Sequence, residues 1–184
     1  MTKNGPVVIV LAAGRGARFR ASGGDGSKLQ ADLHGKPVLD HVLAAVERSG
    51  LAHHVVHRAA GDGMADSIAA GVRATATASG WLILPGDLPL ISAPSLCRVA
   101  QALAQQPVVV PTFEGRRGHP VGFAGECYAA LASLSGEAGG AAVVEHYRCE
   151  GRALLVPLDD PGILTDIDTL ADLQRVHALL AAAT

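Results

Sequence analysis

The sequence predicts an α/β fold: a mostly parallel sheet with helices on both faces, forming one domain over residues 1–184. Three observations carry this. Apolar runs at 6–11, 81–84 and 107–111 are too continuous for strands with one wet face and read as strands buried on both. Segments with helical spacing alternate with them, which implies crossover connections and parallel pairing. No repeat or linker interrupts the alternation, and a chain of this length can bury one substantial core.

The elements follow in order. The first strand, 6–11, empties into a loop of glycines and basic residues that runs to Lys28. After the turn His34-Gly35-Lys36, Pro37 suits the first turn of a helix. Val38, Leu39, Val42, Leu43 and Val46 continue that helix, and Ser49-Gly50 closes it. His53 to His57 reads as a short strand. Its histidines invite metal ligation, but His54 and His57 would point to opposite faces and no partner carboxylate is obvious. A second helix opens near Gly61, with Asp62 as N-cap, and runs to about Thr75. The strand at 81–84 ends in Pro85-Gly86-Asp87, which places a carboxylate at the edge where ligands of open α/β sheets bind. Ser92 and Pro94 start a third helix, and a strand follows at 107–111. The glycines and charges of 112–123 read as a hairpin with basic groups at its tip. Helices at 128–134 and 141–147, a strand at 153–157 and a last helix at 170–180 complete the chain. Thr169 and Asp172 form a capping box for that last helix.

Composition excludes several classes. The formal net charge is −2, and no basic run suggests a nucleic-acid partner. No apolar stretch reaches bilayer-spanning length, and none has the form of a signal peptide, so the expectation is a cytoplasmic protein without a membrane partner. Three scattered cysteines, Cys97, Cys127 and Cys149, fit free thiols in a reducing compartment.

The loop after the first strand carries the chemistry. Glycines there let backbone N–H groups approach an anion, and the basic side chains match phosphate. The P-loop reading fails, because the order is Gly26-Ser27-Lys28 and the lysine stands last. The dinucleotide fingerprint also fails: Gly14 and Gly16 fit, but Phe19 stands at the third glycine. A nucleoside triphosphate site is the first reading, and a glycine-rich turn with solvated charges is the alternative.

Six groups of residues, in order over nearly the whole chain, resemble one family. They are Leu11-Ala12-Ala13-Gly14 with Arg18 and Lys28; Gly35-Lys36-Pro37; Gly63-Met64 with Ser67; Gly86-Asp87-Leu88-Pro89; Gly115-Arg116-Arg117-Gly118-His119-Pro120; and Asp166-Ile167-Asp168-Thr169. The chain resembles the MobA-like nucleotidyltransferases, and within them most resembles the molybdenum cofactor cytidylyltransferases. The resemblance implies a Rossmann-like sheet of the nucleotide-diphospho-sugar transferase type. It implies transfer of a nucleotide from CTP or GTP to the phosphate of a molybdopterin-type acceptor, with loss of pyrophosphate. Arg18, Lys28 and Asp87 would be catalytic. Leu11, Ala12, Ala13, Gly14, Gly16, Lys28, Gly63 and Ser67 would bind the nucleotide, and Arg117 and His119 the acceptor. Asp87 with Asp166 or Asp168 would hold Mg²⁺, Asp166 being preferred because it lies further from the last helix. A molybdoenzyme or its chaperone is the implied further partner. Ala13, where the guanylyl branch usually has glycine, favours CTP. The chain departs from the family pattern in a short segment before Gly63, in extra residues at 21–26, and in lacking an arginine within 136–141.

Overall fold

The computed structural model describes residues 5–14, 16–59, 61 and 63–182. In chain order the elements are β1 (Val7–Leu11), α1 (Ala17–Ala21), β2 (Asp32–Leu33), β3 (Lys36–Pro37), α2 (Val38–Ser49), β4 (Ala52–Val56) and α3 (Met64–Ala74). They continue with β5 (Gly80–Pro85), α4 (Ala93–Ala102), β6 (Val108–Phe113), β7 (Arg116–Arg117), β8 (Val121–Ala124) and α5 (Tyr128–Ala132). The chain ends with α6 (Ala141–Cys149), β9 (Ala153–Pro157) and α7 (Leu170–Ala182).

Seven strands form the main sheet, in the order β4-β1-β5-β8-β6, with β9 beside β6 and β7 folded back on the end of β6. β4, β1 and β5 are parallel, as are β6 and β9. β8 lies antiparallel between β5 and β6. The hairpin expected at 112–123 produces this reversal. Glu114 and Gly115 turn with φ of 49° and 77°, so the chain returns to the sheet without a crossover helix.

Strand alternation sorts the core onto two faces. Val8, Val10, Leu82 and Leu84 pack with Val42 of α2 and with Leu96 and Val99 of α4. Ile9, Trp81 and Ile83 pack with Ile68 and Val72 of α3, Leu131 of α5 and Val143 of α6. The expected helices on both faces are therefore present. A third cluster of Phe19, Leu33, Val38, Ile167 and Val176 joins α7 to α1 and to the β2–β3 hairpin.

Local details refine the sequence reading. Pro37 stands one residue before α2, paired with Asp32 in β3, rather than within the helix. Gly50 closes α2 with φ of 69°, a left-handed conformation that glycine adopts without strain. Asp62, expected to cap α3, lies outside the described residues. Gly63 holds the N-cap position, and its N–H donates to the Asp66 carboxylate at 3.1 Å. α5 ends two residues before the expected 134. At α7 the Thr169–Asp172 box forms as expected: Asp172 N–H donates to Thr169 Oγ1 at 3.2 Å, and Thr169 N–H to Asp172 Oδ2 at 2.9 Å. His53 is exposed and His57 lies beyond the end of β4. Among the described residues, no group of three or more His, Cys, Asp or Glu could hold a metal ion.

Candidate active site

β1 and β5 finish side by side, Leu11 opposite Pro85. The loops that follow them leave the same sheet edge together. Gly86 fixes this junction: its N–H donates to the Leu11 carbonyl at 3.0 Å. A Cβ there would sit 2.9 Å from that oxygen, so a larger residue would push Asp87 away from the glycine loop. The Asp87 carbonyl in turn accepts from Ile167 N–H at 3.0 Å, which draws the segment before α7 alongside.

This stitching assembles a charged cluster. Lys28 Nζ lies 2.7 Å from Asp87 Oδ2 and 2.7 Å from Asp168 Oδ1. Arg18 Nη1 lies 2.5 Å from Asp168 Oδ2. Asp87 Oδ1 is buried without a hydrogen-bond partner. Burial would push the Lys28 ammonium down, but the two carboxylates outweigh it and hold the pKa above its ordinary value. Lys28 therefore stays charged at neutral pH.

The extra residues at 21–26 do not keep Lys28 out of the site. Phe19 is buried in the third core cluster, and Gly24 packs so closely on its ring that a Cβ would lie 2.3 Å from it. The loop folds back on this anchor, and Gly16, left-handed at φ 60°, borders the Lys28 backbone.

Around the cluster opens a cleft of about 370 Å³. It is lined by Leu11, Ala13, Gly14, Gly16, Arg18, Lys28, Gly63, Ser67, Asp87 and Asp168, all anticipated from the sequence. Ala12 is not on its wall: its N–H donates to the Val56 carbonyl at 2.9 Å, and its methyl group packs on the core. Asp166 lines neither this cleft nor the next. Asp168, the less favoured of the two in the sequence reading, is the carboxylate that shares the ammonium with Asp87.

A second cavity of about 460 Å³ abuts the first across a ridge of Leu11, Met64 and Pro85. Its walls include Ile68, Ile83, Val110, Val121, Phe123 and Val144, and its charged or polar side chains are Arg117, His119 and Glu145. Burial lowers the His119 pKa, against the smaller opposing charges of Asp87 and Asp166. Its Nδ1 is buried without a partner. His119 is thus a neutral imidazole with a free ring nitrogen, and Arg117 supplies the positive charge of this cavity.

The wall between the cavities depends on residues that the sequence reading passed over. Asp66 Oδ2 accepts from Gly63 N–H and, at 3.3 Å, from Gly136 N–H. Ala65 N–H donates to the Gly136 carbonyl at 3.0 Å. The 136–140 loop is thereby clipped to the start of α3, with Glu137 in the first cavity and Ala138 to Gly140 in the second. The signal for Asp66 was its spacing, three residues after Gly63, where a carboxylate can reach back to the N-cap N–H.

Fold and cleft together define an α/β nucleotidyltransferase domain. The chain belongs to the family of the MobA-like NTP transferase domain, whose model matches residues 8–60 and 50–152. It is 31% identical over 139 residues to the bifunctional protein GlmU of Rhizorhabdus wittichii, an alignment that covers 64% of this chain and 30% of the relative's length. Among solved structures it resembles Rv0371c of Mycobacterium tuberculosis in complex with manganese, with TM-score 0.71, 22% identity, and 96% and 100% of the two chains covered. It also resembles molybdopterin-guanine dinucleotide biosynthesis protein A of Archaeoglobus fulgidus, with TM-score 0.63, 15% identity, and 96% and 99% covered.

Proposed function

We propose that this domain transfers CMP from CTP to the phosphate of a molybdopterin-type acceptor in the presence of Mg²⁺, releasing pyrophosphate. The single observation that carries the reading is the Lys28–Asp87–Asp168–Arg18 cluster lining the first cavity, beside a second cavity of different character. Nucleotidyl transfer needs charge neutralisation and in-line placement of the reactants more than covalent work by the protein. In this reading the nucleotide lies in the first cavity, its polyphosphate against the glycine loop, Arg18 and Lys28. The acceptor lies in the second, with its phosphate reaching over the shared ridge. A phosphate oxygen of the acceptor attacks the α-phosphorus, and the bond to the β-phosphate oxygen breaks. The electron pair leaves with pyrophosphate, whose growing charge Lys28 and Arg18 stabilise. The acceptor oxygen is already anionic, so no side chain has to remove a proton.

Asp87 and Asp168 fit a hard divalent cation. They supply oxygen donors, and Asp87 Oδ1 is a buried acceptor with nothing yet to bind. Bound there, Mg²⁺ would neutralise phosphate charge and polarise the reacting phosphoryl group. The manganese complex of Rv0371c supports a divalent ion in this fold.

The second cavity favours a ring-bearing acceptor over a sugar phosphate. A sugar needs a dense set of hydrogen-bonding side chains, and this wall offers three polar ones. A flat heterocycle can stack on apolar walls and use the backbone of 138–140. Delivery to a molybdoenzyme or its chaperone would follow release. A GTP-dependent reaction is the second reading, supported by the resemblance to the guanine dinucleotide protein; Ala13 on the nucleotide cavity wall favours CTP. Calorimetric titration with CTP and GTP, each with and without Mg²⁺, tests the assignment. Tighter, metal-dependent CTP binding, followed by pyrophosphate release on adding molybdopterin, is the expected result. A GTP preference moves the domain to the guanylyl reaction, and binding without turnover on any acceptor defines a cofactor-handling protein.

A further inference from the structure

We propose that Lys28 is a placeholder for the divalent cation, so that metal and triphosphate enter the site together and neither binds well alone. This rests on the reading of Asp87 and Asp168 as metal ligands. The Lys28 ammonium sits between these two carboxylates, 2.7 Å from each, where an ion shared by both would lie. Its side chain is only 12% exposed, so solvent screens the contacts weakly. Asp168 is occupied on both oxygens, by Lys28 and by Arg18. Of the four carboxylate oxygens, three face cations and one, Asp87 Oδ1, is without a partner.

The charges explain the coupling. Two carboxylates balance one ammonium and one guanidinium. A dication arriving alone would raise the local charge to about +2 in a half-buried site and would compete with Lys28 for the same oxygens. A triphosphate removes both obstacles: it draws Lys28 and Arg18 onto its own oxygens and brings the negative charge that the dication needs. The carboxylates are then free to turn to the metal. Linkage is reciprocal, so the metal must raise triphosphate affinity by the same factor. If Lys28 were only a fixed phosphate ligand, it would repel the metal equally with and without triphosphate, and its removal would leave the coupling unchanged.

The test is Mn²⁺ binding to the full chain, followed by electron paramagnetic resonance, with and without tripolyphosphate. The proteins are the unmodified chain, Lys28→Met, and Lys28→Met with Asp87→Asn. In the unmodified chain, tripolyphosphate should tighten Mn²⁺ binding by about 10-fold or more. Lys28→Met should bind Mn²⁺ about 10-fold more tightly than the unmodified chain when no tripolyphosphate is present, and should lose most of the coupling. Adding Asp87→Asn should abolish that gain. Unchanged or weaker Mn²⁺ binding in Lys28→Met overturns the placeholder. If the unmodified chain already binds Mn²⁺ alone as tightly as the variant, and Asp87→Asn removes it, the placeholder falls and the metal site stands. Absence of Mn²⁺ binding in every protein, even with tripolyphosphate, overturns both. Where circular dichroism shows that methionine impairs folding, Lys28→Gln replaces it, with the same outcomes.

Discussion

The two cavities share a ridge and little else. The first is made by loops at the carboxyl ends of parallel strands and is held by ion pairs among Arg18, Lys28, Asp87 and Asp168. The second lies over the mixed half of the sheet, where β8 runs antiparallel, and its wall is mainly side chains of β5, β6, β8, α3 and α6. Charge complementarity suits a part of the substrate that is much the same in every nucleotide, the polyphosphate. An apolar wall with a neutral imidazole suits recognition of a molecular body. On the proposed reading, the difference would separate the chemical step from the choice of acceptor.

The largest predicted effect breaks the first cavity alone. Asp87→Asn should lower turnover by about 1,000-fold, the scale expected when a transition-state charge contact is lost. Nucleotide affinity measured without metal should not fall, and should rise where Asp87 competes with the triphosphate for Lys28. Pyrophosphate release and calorimetry check the two halves of this claim, and parallel loss of both would reduce Asp87 to a structural turn residue.

Next comes the wall common to both. A Cβ at Gly63 would lie 2.0 Å from the Gly136 carbonyl, and backbone cannot yield as a side chain does. Gly63→Ala should destabilise the fold by about 1–3 kcal/mol and raise KM for nucleotide and acceptor together. A rise in only one KM would show that the cavities do not share this wall in solution.

A smaller effect isolates the second cavity. Ala141 is exposed at its rim, so Ala141→Phe should fold normally and fill part of the space. Acceptor KM should rise about 10-fold, the scale of a 1.4 kcal/mol loss, while nucleotide binding stays unchanged.

The same contrast explains what could be read in the sequence. Glycine loops and carboxylates at strand ends are local signals, so Gly14, Gly16, Lys28 and Asp87 were expected at one sheet edge before any contact was known, and they line one cleft. That Asp168 rather than Asp166 turns to Lys28 depends on the Ile167-to-Asp87 hydrogen bond, a contact across 80 residues that no local pattern encodes. Arg117 and His119 were read from their motif. The walls around them were not, because Val110, Val121, Phe123 and Val144 look like any core residues until the topology leaves a gap between them. The antiparallel β8 was legible only as a hairpin of undecided course.

The smallest prediction concerns pH and tests whether His119 is neutral by burial. Its folded pKa is lowered from 6.5 by desolvation, with the charges of Asp87 and Asp166 and the Ile83 backbone opposing in part. A depressed folded pKa means that the unfolded chain takes up the proton more readily. The contribution is therefore fully present above the unfolded value of about 6.5 and is lost as pH falls below it. Urea midpoints measured from pH 7.5 to 5 should fall more steeply for the unmodified protein than for His119→Gln, which has no proton to gain. Asp172 cannot produce this slope: its carboxyl is held down to about 2 by Thr169, so its contribution is lost only below about pH 4. Parallel curves for the two proteins would place the imidazole in water, and the second cavity would then have to be wetter and more open than its apolar walls imply.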